Sequence, residues 1–358
     1  MTPSKVHANI IFSQQIEREL QKIISRFPSG KIFLLTEETP EKLCLPLTGS
    51  LIRDYSIRKI VIHGGEANKS IRSVEQVWEA LSRYGADRKS LLINVGGGLL
   101  TDLGGFAAST FKRGIAFVNI PTTLLAQVDA SLGGKTGINF NGLKNEIGVF
   151  SEPDTVIINT DFLKTIDKEN FLSGYAEMVK HGLIRSMEHW EELQMYDLKK
   201  MDLKVLQDII AHSVSIKESH VQNDPTEKNI RKALNFGHTA GHAFESFALH
   251  QGRPVLHGYA VVYGMITELF LSEKKCSFNK QDLKYICRWL LERYGKFEII
   301  KEDYEILYEL MTHDKKNEEG RINFTLLSKT GTVEINQDCS KALIFEALDE
   351  YKNFRIDD

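Results

Sequence analysis

Short apolar runs alternate with helical spacing through the first half of the chain. Residues 31–35, 59–63, 90–95, 115–120 and 155–159 read as strands, the fourth stopped by Pro121. Between the second and third, residues 70–84 place Ile71, Val74, Val77, Trp78 and Leu81 on one helical face. Alternation of this kind predicts a mostly parallel sheet with helices on both faces. Past Phe162 the texture changes. Residues 163–184, 190–201, 203–221, 230–249 and 258–274 read as helices, and 321–335 as a hairpin around Gly320 and Gly331. The expected organisation is an α/β domain over 1–165 and a mostly helical domain over 166–358. The cleft between two such domains is the default place for a site.

Composition narrows the class. A chain of 358 residues is long for one core and ordinary for two. An apolar fraction of 42% and a net charge of -3 exclude a disordered chain and give no sign of a nucleic-acid partner. Cys44, Cys276, Cys287 and Cys339 are far apart and form no CxxC pair, so free thiols in a reducing cytoplasm are expected. The N-terminus has no apolar signal region. The longest mostly apolar stretch, 259–271, contains Glu268 and is too short to span a bilayer, so no membrane partner is expected.

Two glycine turns follow predicted strands: Gly64-Gly65-Glu66 and Gly96-Gly97-Gly98, the latter opening a helix. Such turns let the backbone approach a pyrophosphate and present helix N–H groups to it, although neither is GxGxxG. Glu66 is a candidate partner for a ribose hydroxyl. The segment 121–145 holds hydroxyls, Asp129, Lys135, Lys144, Asn145 and several glycines, and reads as an anion-binding loop.

Three residues form a candidate metal set. Glu177, His238 and His257 supply two imidazoles and a carboxylate, a catalytic zinc pattern that leaves positions open for substrate oxygens. Lys180 shares a helix face with Glu177, and His242 shares one with His238. His7, His189, His212, His220, His250 and His313 read as structural or solvated. Arg113, Lys135, Lys144, Lys180, Lys217, Arg231, Lys315 and Lys316 lie near these segments. Where they converge, they suit a substrate with phosphate and carboxylate groups.

The blocks GGEANK, GGGLLTD, RGIAFVNIPTTLLAQVDASLGGKTGIN, KNEIG, SGYAEMVKHGLI, RKALNFGHTAGHAFE, LHGYAV and DKK, in this order, resemble the 3-dehydroquinate synthase family over about residues 60–330. The resemblance implies a nucleotide-binding α/β half, a helical metal-binding half and a homodimer. It implies NAD contacts at Glu66, Lys69, Gly97, Gly98, Asp102, Thr122, Thr123, Lys144 and the turn from Phe162 to Thr165. Zinc or cobalt is implied on Glu177, His238 and His257. Catalytic or substrate roles are implied for Asp129, Lys135, Asn145, Lys180, Lys217, Arg231, Asn235, His242 and a lysine of the DKK block, Lys315. Arg113 is implied to reach a partner subunit's site. Tyr259 departs from the family motif, which has Glu after His257-Gly258. The implied substrate is a sugar-acid phosphate, with Lys135, Asn145 and His242 on its phosphate and Lys217, Arg231 and Asn235 on its carboxylate. A 2-deoxy-scyllo-inosose synthase-like cyclase and a metal-dependent polyol dehydrogenase share the cofactor needs. The carboxylate-binding set favours the first reading over both.

Overall fold

The computed structural model describes residues 8–49, 55–141, 143–312 and 322–356. Two compact units make up the chain. One comprises Met1–Asp167 with Lys199–Val214, the other Lys168–Leu198 with Ser215–Asp358. The chain is therefore not divided by a single cut near 165. The helix Leu203–Asn223 begins in the first unit and ends in the second.

The first unit is built on a six-stranded sheet of β1 (Asn9–Phe12), β2 (Ile32–Glu37), β3 (Arg58–Ile62), β4 (Leu91–Gly96), β5 (Ala116–Pro121) and, after a hairpin, β8 (Thr155–Ile158). The strand order is β1-β8-β5-β4-β2-β3 and every pairing is parallel. The central strands are buried on both faces and mostly apolar, with Thr36, Asn94 and Asn119 as buried polar exceptions. Ile32 and Leu34 of β2, with Leu91, Ile93 and Val95 of β4, pack with the helix Ile16–Ile24 in one core. Phe33, Leu35 and Leu92 point the other way, into a core with helices Ile71–Arg83 and Gly98–Thr110. The edge strand β1 was not read from the sequence, because its apolar run Ile10-Ile11-Phe12 is too short to mark a strand.

The predicted loop over 121–145 is instead, in its second half, a strand. β6 (Lys135–Phe140) pairs antiparallel with β7 (Leu143–Phe150). Close backbone pairing needs glycine here: a Cβ on Gly148 would stand 2.4 Å from the Thr136 carbonyl oxygen. Gly137, read as a loop signal, is a strand-contact residue as well: a Cβ there would stand 2.7 Å from Ile147 O.

The second unit centres on the helix His257–Cys276, which is buried on nearly every side. Around it pack helices Lys168–Arg185, His238–His250, Lys280–Tyr294 and Lys341–Asn353, together with the hairpin of β9 (Asn323–Lys329) and β10 (Thr332–Asp338). Three helical expectations need correction. Thr160–Thr165 is a separate 3-10 turn, and the helix expected from 163 starts at Lys168. The helix expected over 190–201 runs Met187–Met195 and stops where Tyr196 turns extended and its ring stacks on Tyr175. The helix expected over 230–249 is broken: Ile230–Asn235 is a 3-10 turn, and Gly237, at φ 78°, separates it from His238–His250. Lys315, Lys316, His7, His313, Gly142, Gly320 and Arg321 lie outside the described residues.

Candidate active site

In the first unit the chain runs from β2 to β3 on one side and from β4 to β5 on the other. The reversal of strand order falls between β2 and β4, and the space beyond their carboxyl ends is where open α/β sheets bind ligands. Three features meet there. Gly97 caps the helix Gly98–Thr110 without a side-chain bond, which leaves its first N–H groups available to a pyrophosphate. Thr122 N donates to Gly96 O, and Thr123 lies against Gly97. The third is Glu37, the last residue of β2, which the sequence reading missed. A Cβ on Gly64 would stand 2.6 Å from one Glu37 oxygen, and one on Gly96 would stand 3.3 Å from the other. Burial, and then the charge of Glu38, raises its pKa above the usual carboxyl value. An acid ending a strand beside the glycine turns was the available signal.

Four predicted residues form one network in this unit. Lys69 is buried, and its Nζ donates to Asp102 Oδ2 at 2.6 Å and to Asn145 Oδ1 at 2.5 Å. Asn145 N donates to Asn139 Oδ1 at 2.9 Å, and Asn139 Nδ2 to Glu66 Oε1 at 2.8 Å. Asn139 is a linking residue that the sequence did not single out. Lys135 and Lys144 stand exposed on the same hairpin, and Asp129 lies in the turn Ala126–Ala130. Thr165 Oγ1 donates to Phe162 O. Phe162 itself is buried, with its ring in the sheet core. Lys112 and Arg113 are exposed and both left-handed, at φ 51° and 67°. Asn145, at φ 50°, is left-handed too. Non-glycine residues held this way are strained, and such strain concentrates at functional sites.

In the second unit three helices bring the candidate metal ligands together. Their approach depends on missing side chains. A Cβ on Gly258 would stand 2.0 Å from Ser173 O, and one on Gly264 would stand 2.0 Å from Gly237 O. Gly258 N also donates to Ser173 Oγ at 3.0 Å. The result places Glu177 Oε1 3.6 Å from His238 Nε2 and 3.7 Å from His257 Nε2. These gaps are too long for hydrogen bonds. They match a shared ion: two ligand atoms roughly 2.0–2.2 Å from one metal, at tetrahedral angles, stand roughly 3.3–3.6 Å apart. Glu177 is fully buried, and neither of its oxygens has a hydrogen-bond partner of good geometry. Lys180 Nζ forms an ion pair with its other oxygen.

Each histidine has its second ring nitrogen held. His238 Nδ1 is 3.2 Å from Phe236 O, and His257 Nδ1 is 3.4 Å from Glu245 Oε2. Such partners fix the tautomer and leave Nε2 for the metal. The His242 ring lies 5.4 Å from that of His238 and 6.0 Å from that of His257, outside the ligand cluster itself. Tyr259 packs edge-on against Tyr294 at 5.3 Å, and the carboxylate near His257 comes from Glu245 instead.

The implied carboxylate-binding residues lie in the same unit. Burial works against the Asp224 charge, but the N–H groups of Asn229, Lys228 and Arg231, with the Arg231 charge, hold its pKa below the usual value. That knot shapes the turn Ile230–Asn235. Arg231 is buried with Nη1 on Pro225 O at 2.7 Å, and Asn235 Nδ2 donates to Glu227 Oε1 at 2.8 Å. Lys217 is buried on the helix Leu203–Asn223.

A model of the 3-dehydroquinate synthase N-terminal region matches residues 59–173, and one of the C-terminal region matches 174–317. The chain is 49% identical over 343 residues to a 3-dehydroquinate synthase of Parabacteroides distasonis, covering 96% of this chain and 97% of that one. It is 37% identical over 333 residues to one of Leptospira interrogans, covering 92% and 90%. Among solved structures, 2-epi-5-epi-valiolone synthase of Streptomyces hygroscopicus, with NAD+ and Zn2+ bound, superposes with a TM-score of 0.86 at 22% identity, covering 98% of each chain, a likeness of fold. A 2-deoxy-scyllo-inosose synthase complexed with carbaglucose-6-phosphate, NAD+ and Co2+ gives 0.80 at 25% identity, covering 96% of each. With both halves matched in order and relatives aligned along nearly the whole length, the chain belongs to the 3-dehydroquinate synthase family.

Proposed function

We infer that this protein converts 3-deoxy-D-arabino-heptulosonate 7-phosphate to 3-dehydroquinate and inorganic phosphate, a step of the shikimate pathway. The route is transient oxidation, phosphate elimination, re-reduction and intramolecular aldol closure. The observation that carries this reading is the meeting of Glu177, His238 and His257 at metal-ligand spacing, in a chain whose 49% identical relative bears that activity's name. When bound, the divalent metal, zinc or cobalt, supplies a Lewis acid for adjacent sugar hydroxyls, and NAD supplies an acceptor that gives back the hydride it takes.

The chain's own residues do the rest. Lys180 balances the charge of Glu177 on one oxygen and leaves the other toward the histidines. In the first unit, the N–H groups at Gly97 and Gly98 take the NAD pyrophosphate. Glu37 and Glu66 accept from ribose hydroxyls. Lys69, Asp102, Thr122, Thr123, Lys144 and the backbone from Phe162 to Thr165 complete the grip. Lys135 and Asn145 take phosphate. In the second unit, His242 takes phosphate, while Lys217, Arg231 and Asn235 take the carboxylate, the planar guanidinium matching it in shape. Asp129 and Arg113 keep substrate roles. Holding both ends of a flexible sugar acid lowers the entropy cost of ring closure.

A second copy of the chain covers the hairpin of β6 and β7, where Phe140, Leu143 and Phe150 stand 43%, 53% and 58% exposed. No helix among the described residues is long and apolar enough to cross a membrane, and all four cysteines are free thiols, which suits a cytoplasmic protein.

The test is to supply metal, catalytic NAD+ and the heptulosonate phosphate and follow inorganic phosphate and the NADH band together. Phosphate released without NADH accumulating is the expected result. NADH accumulating without phosphate would make the protein a dehydrogenase.

A further inference from the structure

The second unit contains a fully buried acid that metal binding and substrate chemistry leave unused. Glu268 lies on the helix His257–Cys276, eleven residues past His257. Eleven residues are close to three full turns, so the two share a face of that helix. Its oxygens accept from Gly237 N at 2.6 Å and from Ala240 N at 3.1 Å. Those N–H groups belong to the start of the helix His238–His250, whose first residue is the metal ligand His238. The cap residue Gly237 is left-handed and offers no side chain, so Glu268 supplies from a neighbouring helix what Ser, Asp or Asn usually supplies locally.

Capping alone does not call for a charge. A neutral Ser or Asn side chain satisfies the same donors, whereas burying a carboxylate is costly. The location supplies a reason. A helix N-terminus carries positive partial charge, and His238 would hold a divalent cation at that end. An anion buried against the same N–H groups offsets the repulsion. It also ties the helix that begins with His238 to the helix that begins with His257, two of the three ligand carriers.

We propose that Glu268 is a positioning residue for the metal: it anchors and neutralises the start of the His238 helix, so that metal affinity depends on it. This rests on the reading of Glu177, His238 and His257 as the metal ligands.

The test compares wild type, Glu268→Gln, Glu268→Asp and, as a packing control, Val262→Ala, a fully buried position on the same helix. Each apoprotein is titrated with Zn2+ and Co2+ against a competing chelator, at a temperature where circular dichroism shows it folded. The visible spectrum of the Co2+ form is recorded as well. Glu268→Gln is expected to weaken both metals by roughly 10- to 100-fold and to change the Co2+ bands, with Glu268→Asp intermediate. Val262→Ala is expected to lower the melting temperature while leaving the metal constant and the bands alone. Either Glu268 variant, folded and binding metal with the wild-type constant, overturns the proposal. A wild-type protein that binds no metal would instead sink the ligand assignment on which it rests.

Discussion

Replacing Glu177 by Gln separates two jobs that one carboxylate performs. Glu177 and Lys180 form an ion pair with side chains 0% and 1% exposed. Removing one partner of such a pair costs about 3–5 kcal/mol, because the other charge stays buried. The amide oxygen of Gln leaves Lys180 a polar neighbour in place of the ion pair, which favours the lower end. For a unit of this size, about 3 kcal/mol lowers the melting temperature by about 6–12 °C. Removing both charges in Glu177→Gln/Lys180→Met should be milder than the two single losses added together. The second job appears when metal is added. At 100-fold excess over its dissociation constant, metal stabilises the wild type by about 2.7 kcal/mol. Glu177→Gln should lose most of this increment, since a neutral amide replaces the anionic member of a three-ligand set. The assay is calorimetry of each protein in chelator and across a Zn2+ titration. A Glu177→Gln protein that keeps the wild-type metal increment would refute the assignment. A double variant as destabilised as the sum of the singles would refute the coupling to Lys180.

Three more outcomes are expected. A carboxyl whose pKa is raised in the folded state stabilises the fold below its unfolded pKa, and this stability is lost as pH rises through the folded value. Burial raises the Glu37 pKa in this way, so at neutral pH its charge opposes folding. Glu37→Gln should therefore raise the apoprotein melting temperature at neutral pH while weakening NAD roughly tenfold; unchanged NAD affinity in a fluorescence titration would remove Glu37 from the ribose site. His242→Ala should lower turnover with metal content intact by elemental analysis, and metal loss in step with activity would make His242 a ligand. Lys69→Met takes the ammonium away from Asp102 and Asn145. It should destabilise the first unit by about 1–3 kcal/mol in urea unfolding and weaken NAD, and an unaltered NAD constant would reduce Lys69 to a structural role.

Local pattern carried much of this protein. The strands β2, β4 and β5 were legible because burial on both faces leaves mostly apolar runs, interrupted only by residues such as Asn94 and Asn119. The helix around 258–274 was legible for the same reason. Glu177, His238 and His257 were legible because few residue types bind a metal and their motifs are distinctive. Tertiary structure alone decided other things. The strand β1 is only four residues and partly exposed, too short a run to be told from loop in its own sequence, and it exists through pairing with β8 across the chain. The hairpin of β6 and β7 hides behind glycines that look like loop residues until a partner backbone lies against them. The break at Gly237 sits inside continuous helical spacing, and its cap comes from Glu268, 31 residues away. Glu37, Glu245 and Glu268 are ordinary acids in sequence. Each takes its role from a neighbour brought close by packing, and residues distant along the chain leave no periodic trace of one another.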